Sequence, residues 1–159
     1  MLPFHNSFRQ KHAVLMQRLP ATPIMSKNEL LSYFTIGLSL TQHLEGHHQI
    51  EERYIFPLLE KKLPQFGKEH LQEHATMHEA VEALDKYCSV AAKKVKNHGK
   101  KDEGQKWPKD VYDMDKMEGI LRHLQDTLFV HLQHEEASLK SQSLRDAGFT
   151  PEELERIPM

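Results

Sequence analysis

The stretch Leu40 to Leu58, LTQHLEGHHQIEERYIFPL, decides the fold. Its members Leu40, Leu44, His47, Glu51, Ile55 and Leu58 fall at steps of four and three, the spacing of one face of an α-helix. A histidine and a glutamate therefore stand inside an apolar stripe and point to the core. Shifting the frame by one gives Thr41, Glu45, His48, Glu52, Phe56 and Leu59, a more polar set that reads as a flank, so His47/Glu51 ranks ahead of His48/Glu52.

The same pattern extends along the chain. Met117, Leu121, Leu124, Leu128, His131, Glu135 and Leu139 form a second apolar stripe broken by His-x-x-x-Glu. A third carries Leu71, His74, Met77, His78, Val81 and Leu84, with His70 one turn earlier, and a fourth carries His5, Phe8, His12, Leu15 and Leu19. Sustained alternation of period two is absent, so the class is all-α. Pro3 suits a first helical turn and Pro20 with Pro23 stops the first helix. Ser26 with Glu29 reads as a capping box opening a helix that runs to about Lys62, with Pro57 kinking its last turns. The third helix is expected over 68–96, an exposed loop over 97–109, and the fourth helix over 111–143. Thr150-Pro151-Glu152-Glu153 predicts a short terminal helix. The expectation is an antiparallel up-down-up-down four-helix bundle over 1–145 with an extension over 146–159.

Depth along the bundle chooses among the histidines. Counted from the first turn, His5 lies about level with His47, whereas His12 falls roughly 17 Å short at ~1.5 Å per residue. The same count from the last loop pairs His78 with His131 and His74 with Glu135. The set is His5, His47, Glu51, His74, His78, His131 and Glu135. Singly, a helical His/Glu pair is usually a surface pair. Jointly, seven ionisable groups in apolar stripes would cost several kcal/mol of desolvation, which a metal offsets directly. Two octahedral irons take roughly twelve donors, and this set with one bridging oxygen fills all but one. One zinc needs about four and leaves the rest unexplained.

Composition narrows the classes. Twenty-one Lys and Arg against 23 Asp and Glu give a net charge of −2, with no basic field for nucleic acid. Cys88 is the lone cysteine, and no apolar run approaches the ~20 residues that span a bilayer. A cytoplasmic location without membrane partners is expected.

The segment His47 to Pro57, the pair His74-x-x-x-His78 and the segment His131-Leu132-Gln133-His134-Glu135-Glu136 resemble the hemerythrin-like, or HHE cation-binding, family over His5 to about Leu144. That resemblance implies an oxo- or hydroxo-bridged centre of two Fe ions at the residues named, with dioxygen or a similar small ligand as partner, for binding or sensing. It also admits a diiron oxidase or oxygenase acting on a small organic substrate. Some relatives place histidine and acid five apart on the last helix, which keeps Glu136 as an alternate to Glu135. A ferritin-like oxidase would carry two Glu-x-x-His motifs, and Glu45 to His48 alone fits. Phe8, Leu44, Met77, Leu128 and Leu132 beside the ligands favour a tight pocket, hence binding or sensing.

Overall fold

The computed structural model describes residues 2–157, and every regular element among them is a helix, with no strand. Helix α1 covers Leu2–Arg18 and runs into a 3-10 segment, Leu19–Ile24, that holds both prolines. Helix α2, Lys27–Ile50, starts at the expected capping box, with the Glu29 N–H donating to Ser26 Oγ at 3.3 Å and the Ser26 N–H donating to Glu29 Oε2 at 2.8 Å. Beyond it, the single helix expected to reach Lys62 is interrupted. Residues Glu51–Ile55 form a π turn in which the Phe56 N–H reaches the Glu51 carbonyl, and α3, Phe56–Leu59, follows. Pro57 explains the change. It has no N–H to donate, and in an unbroken helix its ring would meet the carbonyl four residues back, so the preceding turn widens.

Helix α4 is Glu69–Asn97 and α5 is Met114–Ser138. Helix α5 begins three residues later than expected, because the Asp113 carboxylate caps it by accepting from the N–H groups of Asp115 and Lys116 at 3.0 and 3.3 Å. It also ends earlier. Extended Lys140 separates it from α6, Ser141–Asp146, and this break lets Leu139 and Leu144 pack on the same apolar cluster. Helix α7, Pro151–Leu154, opens on the Thr150 capping box. The 97–109 loop is less exposed than expected, since Trp107 is buried, with its Nε1–H on the Met25 carbonyl at 2.9 Å.

Helix α1 packs on α2 and α5, α2 on α4, and α4 on α5, which closes a ring. Two apolar clusters fill it. The larger includes Leu15, Phe34, Leu44, Met77, Leu84 and Leu128, and the smaller joins Ile55, Phe56, Leu59 and Phe66 to Leu144 and Ile157. Helices α2 and α4 approach closely at Gly37, where an added Cβ would stand 2.7 Å from Cys88 Sγ. No helix among the described residues is long and apolar enough to cross a membrane.

Candidate metal centre

Between the two apolar clusters the stripes turn polar. Along α2 and the π turn that continues it, Leu44 belongs to the larger cluster and Ile55 to the smaller, with His47, His48 and Glu51 between them. At about 100° per residue, Glu51 lies some 40° from His47 and 60° from His48. One helix thus aims two imidazoles to either side of one carboxylate, and all three are buried. Treating His47 and His48 as alternatives hid this arrangement.

Two four-residue groups of donor atoms, each within 4.8 Å, occupy this layer, and His70, Glu73 and His131 form a third beside it. Of the two in the layer, one is His48, Glu51, His74 and His131, the other His5, His47, Glu51 and Glu135, and Glu51 belongs to both. His74 Nε2 lies 3.1 Å from His131 Nε2. Glu51 Oε1 is 2.8 Å from His47 Nε2, and its Oε2 is 3.5 Å from His74 Nε2. Glu135 Oε2 lies 3.2 Å from His5 Nε2 and 3.7 Å from His131 Nε2. With Nδ1–H of His74 and His131 each on an outer carboxylate, their Nε2 approach brings two lone pairs together, and the other approaches lack hydrogen-bond geometry. Among the described residues, seven buried side-chain nitrogens and oxygens have no hydrogen bond, namely Nε2 of His5, His47 and His48 and both carboxylate oxygens of Glu51 and Glu135. All seven converge here. Orphaned buried donors and acceptors are rare and costly, so their concentration in one layer, as lone-pair groups facing one another, suits a cation.

Three further carboxylates hold imidazoles from outside. His74 Nδ1 pairs with Glu52 at 2.8 Å, His131 Nδ1 with Glu73 at 2.9 Å and His5 Nδ1 with Glu136 at 3.0 Å. Each Nδ1–H donating to a carboxylate leaves the Nε2 lone pair turned inward. Glu73 also accepts from His70 and His134, and Arg9 clasps Glu136 at 2.8 Å.

Electrostatics follows from burial. Desolvation, with the charge of His5, lowers His47 to about 4; desolvation and His131 lower His74 to about 3; and burial depresses His48 strongly. Burial, reinforced by Glu135, raises Glu51 to about 10. Burial opposes ionisation of Glu135 too, but the close imidazoles of His5, His131 and His47 leave it lowered. Burial likewise works against Glu73, yet its bonds to His131, His134 and His70 hold it at about 2. The neutral imidazoles are the form that binds metal.

Of the residues expected at the site, His5, His47, Glu51, His74, His131 and Glu135 come together, and His78 does not. His78 is exposed, and His48 occupies the place expected for it. The wheel gives the reason: His70, His74, Met77 and Val81 centre the α4 stripe, and His78 stands about 80° from His70. Depth misled as well, because α5 begins deeper than α4 ends. His74 precedes the end of α4 by 23 residues (97 − 74), while His131 follows the start of α5 by 17 (131 − 114). His12 is buried apart from the cluster, its Nε2–H donating to the Leu121 carbonyl at 2.8 Å. Glu136 lies outside, on His5. The signal for His48 was present in its three-residue step to Glu51.

Fold and site together define a helical protein with a buried histidine and carboxylate cluster able to hold metal cations. The profile of the Hemerythrin HHE cation binding domain matches residues 4–139, and the chain belongs to that family. Neither curated proteins nor solved structures provide a match to it.

Proposed function

We propose that this protein holds two iron ions and uses them to bind or sense dioxygen or a similar small ligand. The observation that carries the reading is the set of seven unpaired buried atoms, too many for one ion and all in one layer. His48, His74 and His131 would hold one ion and His5, His47 and Glu135 the other, with Glu51 shared between them. Iron would supply reversible one-electron chemistry at an open position. The chain supplies the rest: neutral imidazoles, carboxylates that balance charge, and outer acids that aim each ring. Phe8, Leu44, Met77, Leu128 and Leu132 are all fully buried, which favours a small ligand in the inner layer over turnover of a bulky one. An antiparallel up-down-up-down order is part of the proposal. Its support is that α2 and α5 run from the larger apolar cluster to the smaller, whereas α4 runs back.

Anaerobic iron loading, followed by metal analysis and by visible spectra through cycles of air and argon, tests the reading. Two irons per chain and a band that appears and fades reversibly are expected. One iron per chain, or tight zinc with no iron uptake, would overturn the two-ion reading. Steady turnover of an organic substrate would replace binding with catalysis.

A further inference from the structure

Among the described residues, three clefts reach a histidine of the centre. The cleft ending at His131 carries Glu69, Glu73 and Asp126, and the one ending at His48 and His74 carries Glu45, Glu52 and Glu79, so both have acidic mouths. The third lies between α1 and α2, encloses about 510 Å³, ends at His47 and contains no carboxylate. Its lining carries the Lys11 ammonium and no acid to repel an anion, unlike the other two clefts.

Stripe geometry builds the cleft. Phe4, Phe8 and Lys11 follow one another along α1, facing His43, Gly46 and Ile50 of α2. Phe4 and Ile50 remain 59% and 50% exposed, while Phe8 is buried beneath them. Gly46 keeps the floor open, for no heavy atom stands within 4 Å of the position its Cβ would take. Glycine inside a helix costs ~1 kcal/mol relative to alanine, so this space persists against helix propensity.

The two ends differ in chemistry. At one, Lys11 Nζ reaches Ser39 Oγ at 3.3 Å and also His43 Nδ1, and no acid lines the cleft beside it. At the other, the His47 ring packs on Phe4 and Phe8 with centroids 5.6 and 5.2 Å away, while its Nε2 faces Glu51. Seven residues of helix, roughly 10 Å, separate Lys11 from Phe4. A cleft of this size, mostly apolar with one charged group at the end, fits a small amphipathic ligand.

We infer that this cleft binds a medium-length aliphatic or aryl monocarboxylate, with its carboxylate on Lys11 and its apolar end against Phe4, Ile50 and the His47 ring. The ligand then lies one side chain from the centre, outside the tightly packed inner layer. The inference rests on the metal reading only in making this the organic ligand of that same site.

Decanoate is the probe, titrated by calorimetry and by amide shifts into the protein as purified and after iron loading. Saturable one-to-one binding is expected in both, with shifts concentrated at Phe4, Ser7, Gly46 and Ile50. Lys11→Met should weaken decanoate at least about tenfold and leave decanol unchanged, since only the former pairs with the ammonium. Gly46→Leu, which fills the floor with a better helix former, should abolish binding while iron content stays normal. If that variant fails to fold, Lys11→Met, at a half-exposed position, still decides. Failure of iron uptake with decanoate binding intact would sink the metal reading alone. Normal iron uptake with no saturable binding, or with binding indifferent to the variants, would overturn this inference. So would a dimer in sedimentation that decanoate does not disperse, which would assign the face to a second copy.

Discussion

Replacing Glu51 by glutamine should make the metal-free protein more stable at alkaline pH, although it removes the residue both donor groups share. Burial and the neighbouring Glu135 raise Glu51 to about 10, against about 4.3 for an unfolded glutamate. A group whose folded pKa is raised contributes stability that is complete below the unfolded value and is lost as pH climbs towards the folded one. His47, His48 and His74 act in the opposite sense: their folded values are depressed, so they weaken the fold as pH falls below about 6.5 and are silent above it. Metal-free wild type should therefore be most stable near pH 6.5. From there to about pH 8.5 it should lose at most ~1.4 kcal/mol per unit, about 2.7 kcal/mol in all, or roughly 5–10 °C in melting temperature. Glu51→Gln keeps the shape without the proton and should abolish that slope while reducing iron affinity about tenfold or more. Thermal melts followed by far-ultraviolet circular dichroism across this window decide it. Equal slopes for wild type and variant would refute the reasoning, because Glu51 would then ionise in the fold without penalty.

His48→Ala should lower iron affinity about tenfold or more, whereas His78→Ala should leave it within about twofold, as expected if exposed His78 stands outside the donor groups; competition with a chromophoric chelator measures both. Gly37→Ala should destabilise the fold by about 1–3 kcal/mol in urea titrations, since its Cβ would meet the buried Cys88 sulfur at 2.7 Å.

Much of this architecture was legible in the sequence because it rests on local rules. The Ser26 and Thr150 caps, the stops at Pro20 and Pro23, and the span of α4 follow from single side chains and their spacing. What escaped depends on several elements at once. The π turn follows from Pro57 only if the chain must also continue helically towards Phe56 and Leu59. The break at Lys140 has no glycine or proline to announce it and arises from the demand of a distant apolar cluster for Leu139 and Leu144. Trp107 was hidden in a lysine-rich loop because its partner, the Met25 carbonyl, is 82 positions away. At the centre, His78 stands among the expected donors in place of His48 because the depth count sets the start of α5 level with the end of α4, which a connection as long as 98–113 does not enforce.

The outer acids have one more effect. Glu52 follows α2 and steadies a ring on α4, Glu73 on α4 steadies one on α5, and Glu136 on α5 steadies one on α1. These three contacts link α2 to α4, α4 to α5 and α5 to α1, each through an imidazole whose far side faces the interior, and the acids themselves stand partly in water. A small ligand that turns the ring of His5, His74 or His131 must also displace an acid at the surface. By reciprocity, whatever captures Glu136 from Arg9, or Glu73 from His134, changes the affinity of the interior by the same factor. Exterior and interior share one thermodynamic cycle, so the affinity of the centre for whatever cation or small ligand it holds would vary with the ionic conditions and neighbours that its surface meets.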